Sequence, residues 1–209
     1  MSRTYTKTKR AQKEEETRQR IVEAAVELHE QVGGVAATVT AIADRAGVGR
    51  VTYYRHFPDE RSLLQACTGH YLALNPPPDP SPWAAISNPE TRLRTALCEI
   101  YAFYGRTEGM LTRAEHEAPN NPVLAEAMVP FAAYLGTIRT MLTAGWSVRD
   151  EPDPVLPAVI GHALAIATWR SLVREHGLTD EQAVALMIRL ARGAGGVGRG
   201  AWGVGVVVG

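Results

Sequence analysis

The sequence has only two cysteines, Cys67 and Cys98, far apart and outside any metal-type spacing. That excludes a disulfide framework and a cysteine-based zinc site, and it suits a reducing cytoplasm. No Cys-x-x-Cys pair, phosphate loop or nucleophile elbow occurs, so no ready-made catalytic motif is present and no cofactor or metal is implied. Long apolar runs are missing as well. The longest, around 155–169, is too short for a membrane span and carries Pro157 and His162. The first residues are charged and lack the apolar core of a signal peptide, so the expectation is a soluble cytoplasmic protein. An excess of charge of one sign is absent too: 22 basic residues balance 22 acidic ones. Composition alone therefore gives no pull toward nucleic acid. Lysine is scarce, and every one lies at or before Lys13. Arg3, Lys7, Lys9, Arg10 and Lys13 all precede the first acidic residue, Glu14, and make residues 1–16 a basic flexible arm. Two readings of the arm stand: a solvated terminus, or a segment that contacts phosphates.

What is present is helical pattern. Hydrophobic residues make up 45% of the chain, enough for a sizeable packed core. Ile21, Ala24, Ala25, Leu28 and Val32 recur at three and four residues, one stripe of an amphipathic helix that Gly33-Gly34 ends. Thr38 stands where an N-cap belongs, before a short run ending at Gly47. A second short run, 50–56, follows and stops before Pro58, and Asp59 caps a helix through Leu74. Five prolines between Asn75 and Pro82 predict an irregular connector. Beyond it the pattern predicts helices over 89–106, 108–117, 122–145, 154–176 and 180–193. Pro130 should kink or break the third of these, and Thr179 with Gln182 forms a capping box for the last. No segment alternates with period two, so the fold class is all-α. The tail 194–209, nearly all Gly, Val and Ala, is too glycine-rich for a helix and should be disordered.

The informative segment is 38–57, TVTAIADRAGVGRVTYYRHF. Two short helices joined by a tight turn need a small residue where they touch, a glycine at the turn and apolar residues to lock the pair. Ala43, Gly47 and the set Ile42, Val48 and Tyr53 meet these needs. The outward side of the second helix offers Arg50, Thr52, Tyr54, Arg55 and His56, none acidic. Such a helix suits the major groove, where Arg reads guanine and Thr meets a thymine methyl. Tyr54 and His56 are placed for phosphate oxygens, and Thr38 and Thr40 add hydroxyls at the start of the preceding helix. Tyr53 completes the set of DNA-binding candidates.

Residues 17–64 resemble the N-terminal domain of TetR-family regulators. The likeness runs through Arg20-Ile21, Ala24-Ala25, the link from Gly33 to Thr38, Ile42-Ala43, Ala46-Gly47-Val48, Thr52-x-Tyr54-x-His56-Phe57-Pro58 and Leu63-Leu64. Some positions depart from the family pattern. Gly49 stands in place of a capping serine, and Val51 at a position often held by glycine or proline. Tyr53 is larger than the usual leucine. Gly34 replaces a packing aromatic, and His29 another near the end of the first helix. Glu60 stands where a phosphate-contacting lysine is common, with Arg61 beside it.

The resemblance implies a three-helix DNA-binding domain with a helix-turn-helix (17–60), followed by a helical ligand-binding and dimerisation domain (61–193). Its partners would be palindromic double-stranded DNA, a second copy of the chain and a small apolar or aromatic effector that releases a repressor. No membrane enters this account. Dimerisation is expected through the last two helices, at Val159, Ala163, Ala167, Leu186 and Leu190, although each could equally face the monomer core. Pocket candidates are the aromatics and methionines of the middle helices: Tyr101, Phe103, Tyr104, Met110, Met128, Phe131, Tyr134 and Trp169. His116 and His162 stand ready to orient a ligand, and core packing is the competing reading for all of them. Two alternatives remain at this point: a helical DNA-binding or interaction protein without a ligand, and an enzyme whose site is assembled only by folding. Glu115-His116-Glu117 is no metal site, because adjacent helical residues diverge.

Overall fold

The computed structural model describes residues 2–34, 36–146 and 154–196. The order is α1 (Ser2–Val32), α2 (Val39–Ala46), α3 (Arg50–His56), α4 (Glu60–Leu74), α5 (Ser81–Ala84), α6 (Pro89–Glu117), α7 (Pro122–Thr143), α8 (Val155–Ala163), α9 (Ile166–Arg170) and α10 (Asp180–Gly196). A 3-10 turn (Ala118–Asn120) precedes α7, and a π turn (Ser171–Glu175) follows α9. There is no strand among the described residues, as the absence of period-two alternation required.

The chain divides into two compact units. One comprises residues 1–77 with 107–130, the other 78–106 with 131–209. The cuts fall after Pro77, within α6 and within α7. In the first unit, Ile21, Val22, Ala25 and Leu28 of α1 pack with Ile42, Ala43 and Ala46 of α2, Tyr53 and Phe57, and Leu63, Cys67 and Tyr71 of α4. Burying a side chain of this kind contributes about 1.5–3 kcal/mol, so this core alone fixes how the short helices lie. In the second unit, Leu93, Leu97, Ile100, Tyr101 and Tyr104 of α6 are buried. So are Ile138 and Leu142 of α7, Ile160 of α8, Trp169 of α9, and Val184, Met187 and Ile188 of α10.

The structure differs from the sequence pattern in several places, each with a physical reason. Helix α1 extends back to Ser2, so the basic arm expected as flexible is drawn as helix. The expected helices 89–106 and 108–117 are one helix, α6. Gly105 and Gly109 weaken it locally, but Ile100, Tyr104, Thr107, Leu111 and Ala114 form an unbroken buried stripe, and burial outweighs a helix-propensity penalty of about 1 kcal/mol per glycine. Helix α7 passes through Pro130 without a break. The expected helix 154–176 is interrupted instead: Ala165 is extended, with φ −76° and ψ 131°, and the segments on either side are bent by 64°. Two carbonyls at the break accept from tyrosines, Ala163 O from the Tyr101 hydroxyl at 3.0 Å and Leu164 O from that of Tyr104. Helix α10 ends at Gly196, three residues past the expected end. The remainder of the glycine-rich tail lies outside the described residues. No single described helix is long and apolar enough to cross a membrane.

Candidate nucleic-acid interface

The local chemistry of residues 38–57 builds a rigid platform. The Thr38 hydroxyl accepts from the Ala41 amide at 3.2 Å, which caps α2. Gly47 closes that helix in the left-handed region, with φ 66° and ψ 38°. Its amide donates to Asp44 O at 3.1 Å and the Val48 amide to Ala43 O at 2.9 Å, the paired bonds of a Schellman motif. This turn needs glycine: a side chain at that φ is strained even though nothing lies near its Cβ position. Helix α3 begins less firmly, because Gly49 at its N-cap supplies no side-chain acceptor.

Two aromatic residues anchor α3 from below. Tyr53 is 3% exposed and Phe57 1%. Their rings lie 6.2 Å apart, and the Arg18 guanidinium sits 5.0 Å above the Phe57 ring. Burial pushes the Tyr53 phenol up to about 12, so it stays neutral in the core. Tyr53 therefore cannot present itself to a groove, and its place among the DNA-contact candidates is corrected.

The solvent side of α3 carries Arg50, Val51, Tyr54 and Arg55, all exposed, with Thr52 half-buried. Tyr54 meets Tyr53 edge-on at 5.4 Å, which fixes its ring while its outer edge stays open. Thr40 is exposed as expected, and so is Thr38, although its hydroxyl oxygen already serves the cap. His56 is half-buried, with Nε2 enclosed and without a partner; that nitrogen does not face solvent. The sequence marks Val51 as a departure from the family pattern and does not number it among the contact residues. At 87% exposure it is an apolar side chain in the first turn of α3, between two polar neighbours. Its lack of a place in the apolar stripe was the signal available in the sequence.

The flanks of this segment are partnered inside the first unit. Glu60 accepts from Asn121 Nδ2 at 2.8 Å, Arg61 pairs with Glu126, and Gly34 N–H donates to the Glu117 carboxylate at 3.1 Å. His29, at the end of α1, is held below its usual pKa by burial, against the opposing pull of Glu117 and Glu60.

The effector candidates fare differently. Tyr101, Tyr104 and Trp169 are all but fully buried. The two tyrosines serve the break after α8, and Trp169 Nε1 donates to Asp180 at 2.8 Å. Arg174 stacks 4.9 Å from the Trp169 ring. All three are packed in the core of the second unit, with their polar atoms bonded to protein groups. Phe131 and Tyr134 are half-buried and stacked at 6.0 Å. Phe131 also meets Phe103 at 6.1 Å, and the Tyr134 hydroxyl donates to Pro78 O at 2.8 Å. His162 is exposed, with a ring nitrogen 3.1 Å from the Thr168 hydroxyl. Met128, like Met110 and His116, belongs to the first unit. Of the interface candidates, Ala163 is fully buried, Val159 and Leu186 are half-buried, and Ala167 and Leu190 are exposed.

Comparison with known proteins agrees with this geometry. The family described as bacterial regulatory proteins, tetR family, matches residues 21–67. The HTH-type transcriptional regulator SrpR of Pseudomonas putida is 43% identical over 191 residues, spanning 76% of this chain and 88% of that protein. A TetR-like transcriptional regulator from Rhodococcus sp. RHA1 superposes with a TM-score of 0.61 at 20% identity, covering 87% of this chain and 97% of the other. Thermus thermophilus FadR, a TetR-family transcriptional repressor solved in complex with lauroyl-CoA, gives a TM-score of 0.51 at 22% identity, covering 88% and 97%.

Proposed function

Since the chain belongs to the TetR family of DNA-binding transcriptional regulators, we propose that it works as a homodimeric repressor that leaves a palindromic operator when a small apolar effector binds. The observation that carries the DNA-reading part is the exposed face of α3, Arg50, Val51, Tyr54 and Arg55, seated on the buried pair Tyr53 and Phe57. A reading face must be both open and immobile, and this one is held by a core on its inner side. Arg50 at the first turn is the base reader, able to make a bidentate bond to guanine, and Val51 offers an apolar contact for a thymine methyl. Tyr54 and Arg55 bond phosphates and position the helix without reading sequence. Thr40 adds a hydroxyl from α2.

Dimerisation follows from the size of the reader. One seven-residue helix contacts only a few base pairs, and twofold repetition about one duplex turn apart, roughly 34–36 Å, multiplies specificity. Val155 on α8 and Leu190 on α10 are 54% and 45% exposed, and with the exposed Ala167 they are the apolar residues assigned to the second copy. The effector site is assigned to the half-buried aromatics Phe131 and Tyr134, which supply apolar area and one hydroxyl. An acyl thioester of the kind bound by the Thermus neighbour is one class to test, and a free aromatic hydrocarbon is another. The effector acts by binding a conformer that DNA does not accept.

The test is fluorescence anisotropy of a selected duplex, followed by titration with acyl-CoAs and aromatic hydrocarbons. Release of the duplex by one class with a saturating dose response supports the proposal. Indifference to both, with the duplex still bound, removes the effector part and leaves a ligand-free DNA-binding protein.

A further inference from the structure

The helix-turn-helix is gripped at both ends by one stretch of the chain, the last turns of α6 and the start of α7. Upstream of it, Arg113 Nη1 donates to His29 O at 3.0 Å and also to Glu30 O. Both are carbonyls of the last turn of α1, and His29 O accepts from the Gly33 amide as well, at 3.1 Å. One turn further along α6, both Glu117 carboxylate oxygens accept from the Gly34 amide at 3.1 Å. Downstream, Asn121 accepts from the Val123 and Leu124 amides at 3.0 and 3.1 Å and so caps α7. That fixes its amide orientation, and Nδ2 is left to donate to Glu60. Glu126, one turn into α7, takes Arg61. Residues 38–57 lie between these two grips.

Three of the positions gripped, His29, Gly34 and Glu60, are among those where the sequence departs from the family it resembles. At Gly34 a Cβ would lie 2.6 Å from Glu117 Oε2, and at Gly33 2.7 Å from Oε1. The carboxylate fills the space that an aromatic at position 34 would need. Glu60, standing where a lysine is common, is drawn to Asn121 and does not present an unpartnered carboxylate to DNA.

We propose that Arg113, Glu117 and Asn121 are positioning residues for DNA binding, a polar clamp that holds the two corners flanking the helix-turn-helix in place of the missing aromatic and lysine. This rests on the DNA-reading function above. A reader held in its bound geometry before encounter loses less freedom on binding, so an open clamp weakens binding to every duplex alike.

The experiment pairs an observable that needs no DNA with one that does. Hydrogen exchange of the Gly34 amide and affinity for a selected duplex are measured on the intact chain for Glu117→Ala, Glu117→Gln, Gly34→Ala and the double variant Gly34→Ala/Glu117→Ala. Glu117→Ala should expose the Gly34 amide and weaken DNA binding about three- to tenfold, the net contribution of one ordinary hydrogen bond. Glu117→Gln keeps an acceptor and should recover most of both. Gly34→Ala alone should weaken binding, whereas in the double variant it should add nothing to Glu117→Ala, because the clash is gone. Unchanged Gly34 exchange in Glu117→Ala overturns the clamp. Faster exchange with unchanged affinity overturns its role in positioning. Additive losses in the double variant overturn the steric account of Gly34. If the wild-type chain binds no duplex while the exchange result holds, the clamp is real and it is the DNA-reading function that fails.

Discussion

Gly49 occupies the N-cap of α3 with φ −76° and ψ 152°, an extended conformation that any residue adopts. Nothing lies within 4 Å of the position its Cβ would take. The glycine is therefore neither required by the backbone nor protected by crowding, and it leaves the amides of the first turn of α3 without a side-chain acceptor. Gly49→Ser supplies a hydroxyl for the Thr52 amide. Replacing Gly by Ser at an N-cap stabilises by a few tenths of a kcal/mol, and restricting the unfolded chain adds about 0.4–1 kcal/mol. The sum is about 1 kcal/mol, or roughly 2–4 °C in Tm for a chain of this size. Gly49→Ala gains the same unfolded-state restriction but is a poor cap, falling about 1 kcal/mol behind serine. Thermal unfolding followed by far-UV circular dichroism, with a urea titration as check, should rank Ser above both Ala and wild type. Equal gains for Ser and Ala would show that capping plays no part at Gly49 and refute the reasoning.

Gly47→Ala places a side chain at φ 66° and should destabilise by about 1–2 kcal/mol, read as a lower urea midpoint. An unchanged midpoint would show that the turn re-forms with another dihedral. Glu126→Gln frees Arg61 from its ion pair. The dependence of DNA binding on log salt should steepen by about 1; an unchanged slope would mean that Arg61 does not reach a phosphate. Burial pushes the Cys67 thiol up to about 12 while Cys98 is exposed. Mass spectrometry after mild alkylation at neutral pH should therefore find Cys98 labelled and Cys67 untouched until urea unfolds the chain. Early labelling of Cys67 would contradict its place in the core.

The helix-turn-helix was legible because its determinants are local. A capping Thr38, a left-handed Gly47 and apolar residues at helical spacing each act within a few residues of where they stand. Helix α6 was misread at Gly105 and Gly109 because propensity is local, whereas the burial of Thr107 and Leu111 depends on what packs over them. The break after α8 was invisible for a related reason: the hydroxyls of Tyr101 and Tyr104 that serve its carbonyls lie about sixty residues away in sequence. For the same tyrosines the sequence left pocket lining and core packing side by side, since a buried aromatic gives one signal whether it faces a cavity or a core. Glu60 stands where a lysine is common, and no spacing rule connects it to Asn121, the distant residue that bonds it. Tyr53 fitted two readings in the sequence, helix lock and DNA contact, and the structure places it in the core while Val51 is exposed. A large polar-tipped residue went inside and a plain apolar one outside, because the helical phase of α3 is set by Phe57 and the α1 core.

The measurement that bears most directly on the central claim is selection from a random duplex pool at two salt concentrations, with wild type and Arg50→Ala side by side. Wild type should enrich a palindrome with steep salt dependence, and Arg50→Ala should bind that palindrome and random duplex with nearly equal affinity. Tyr54→Phe, run in parallel, should weaken both by the same factor. If Arg50→Ala loses affinity equally on selected and random duplex, Arg50 is not a base reader. If wild type enriches nothing while the chain remains folded, α3 does not read DNA in the free protein.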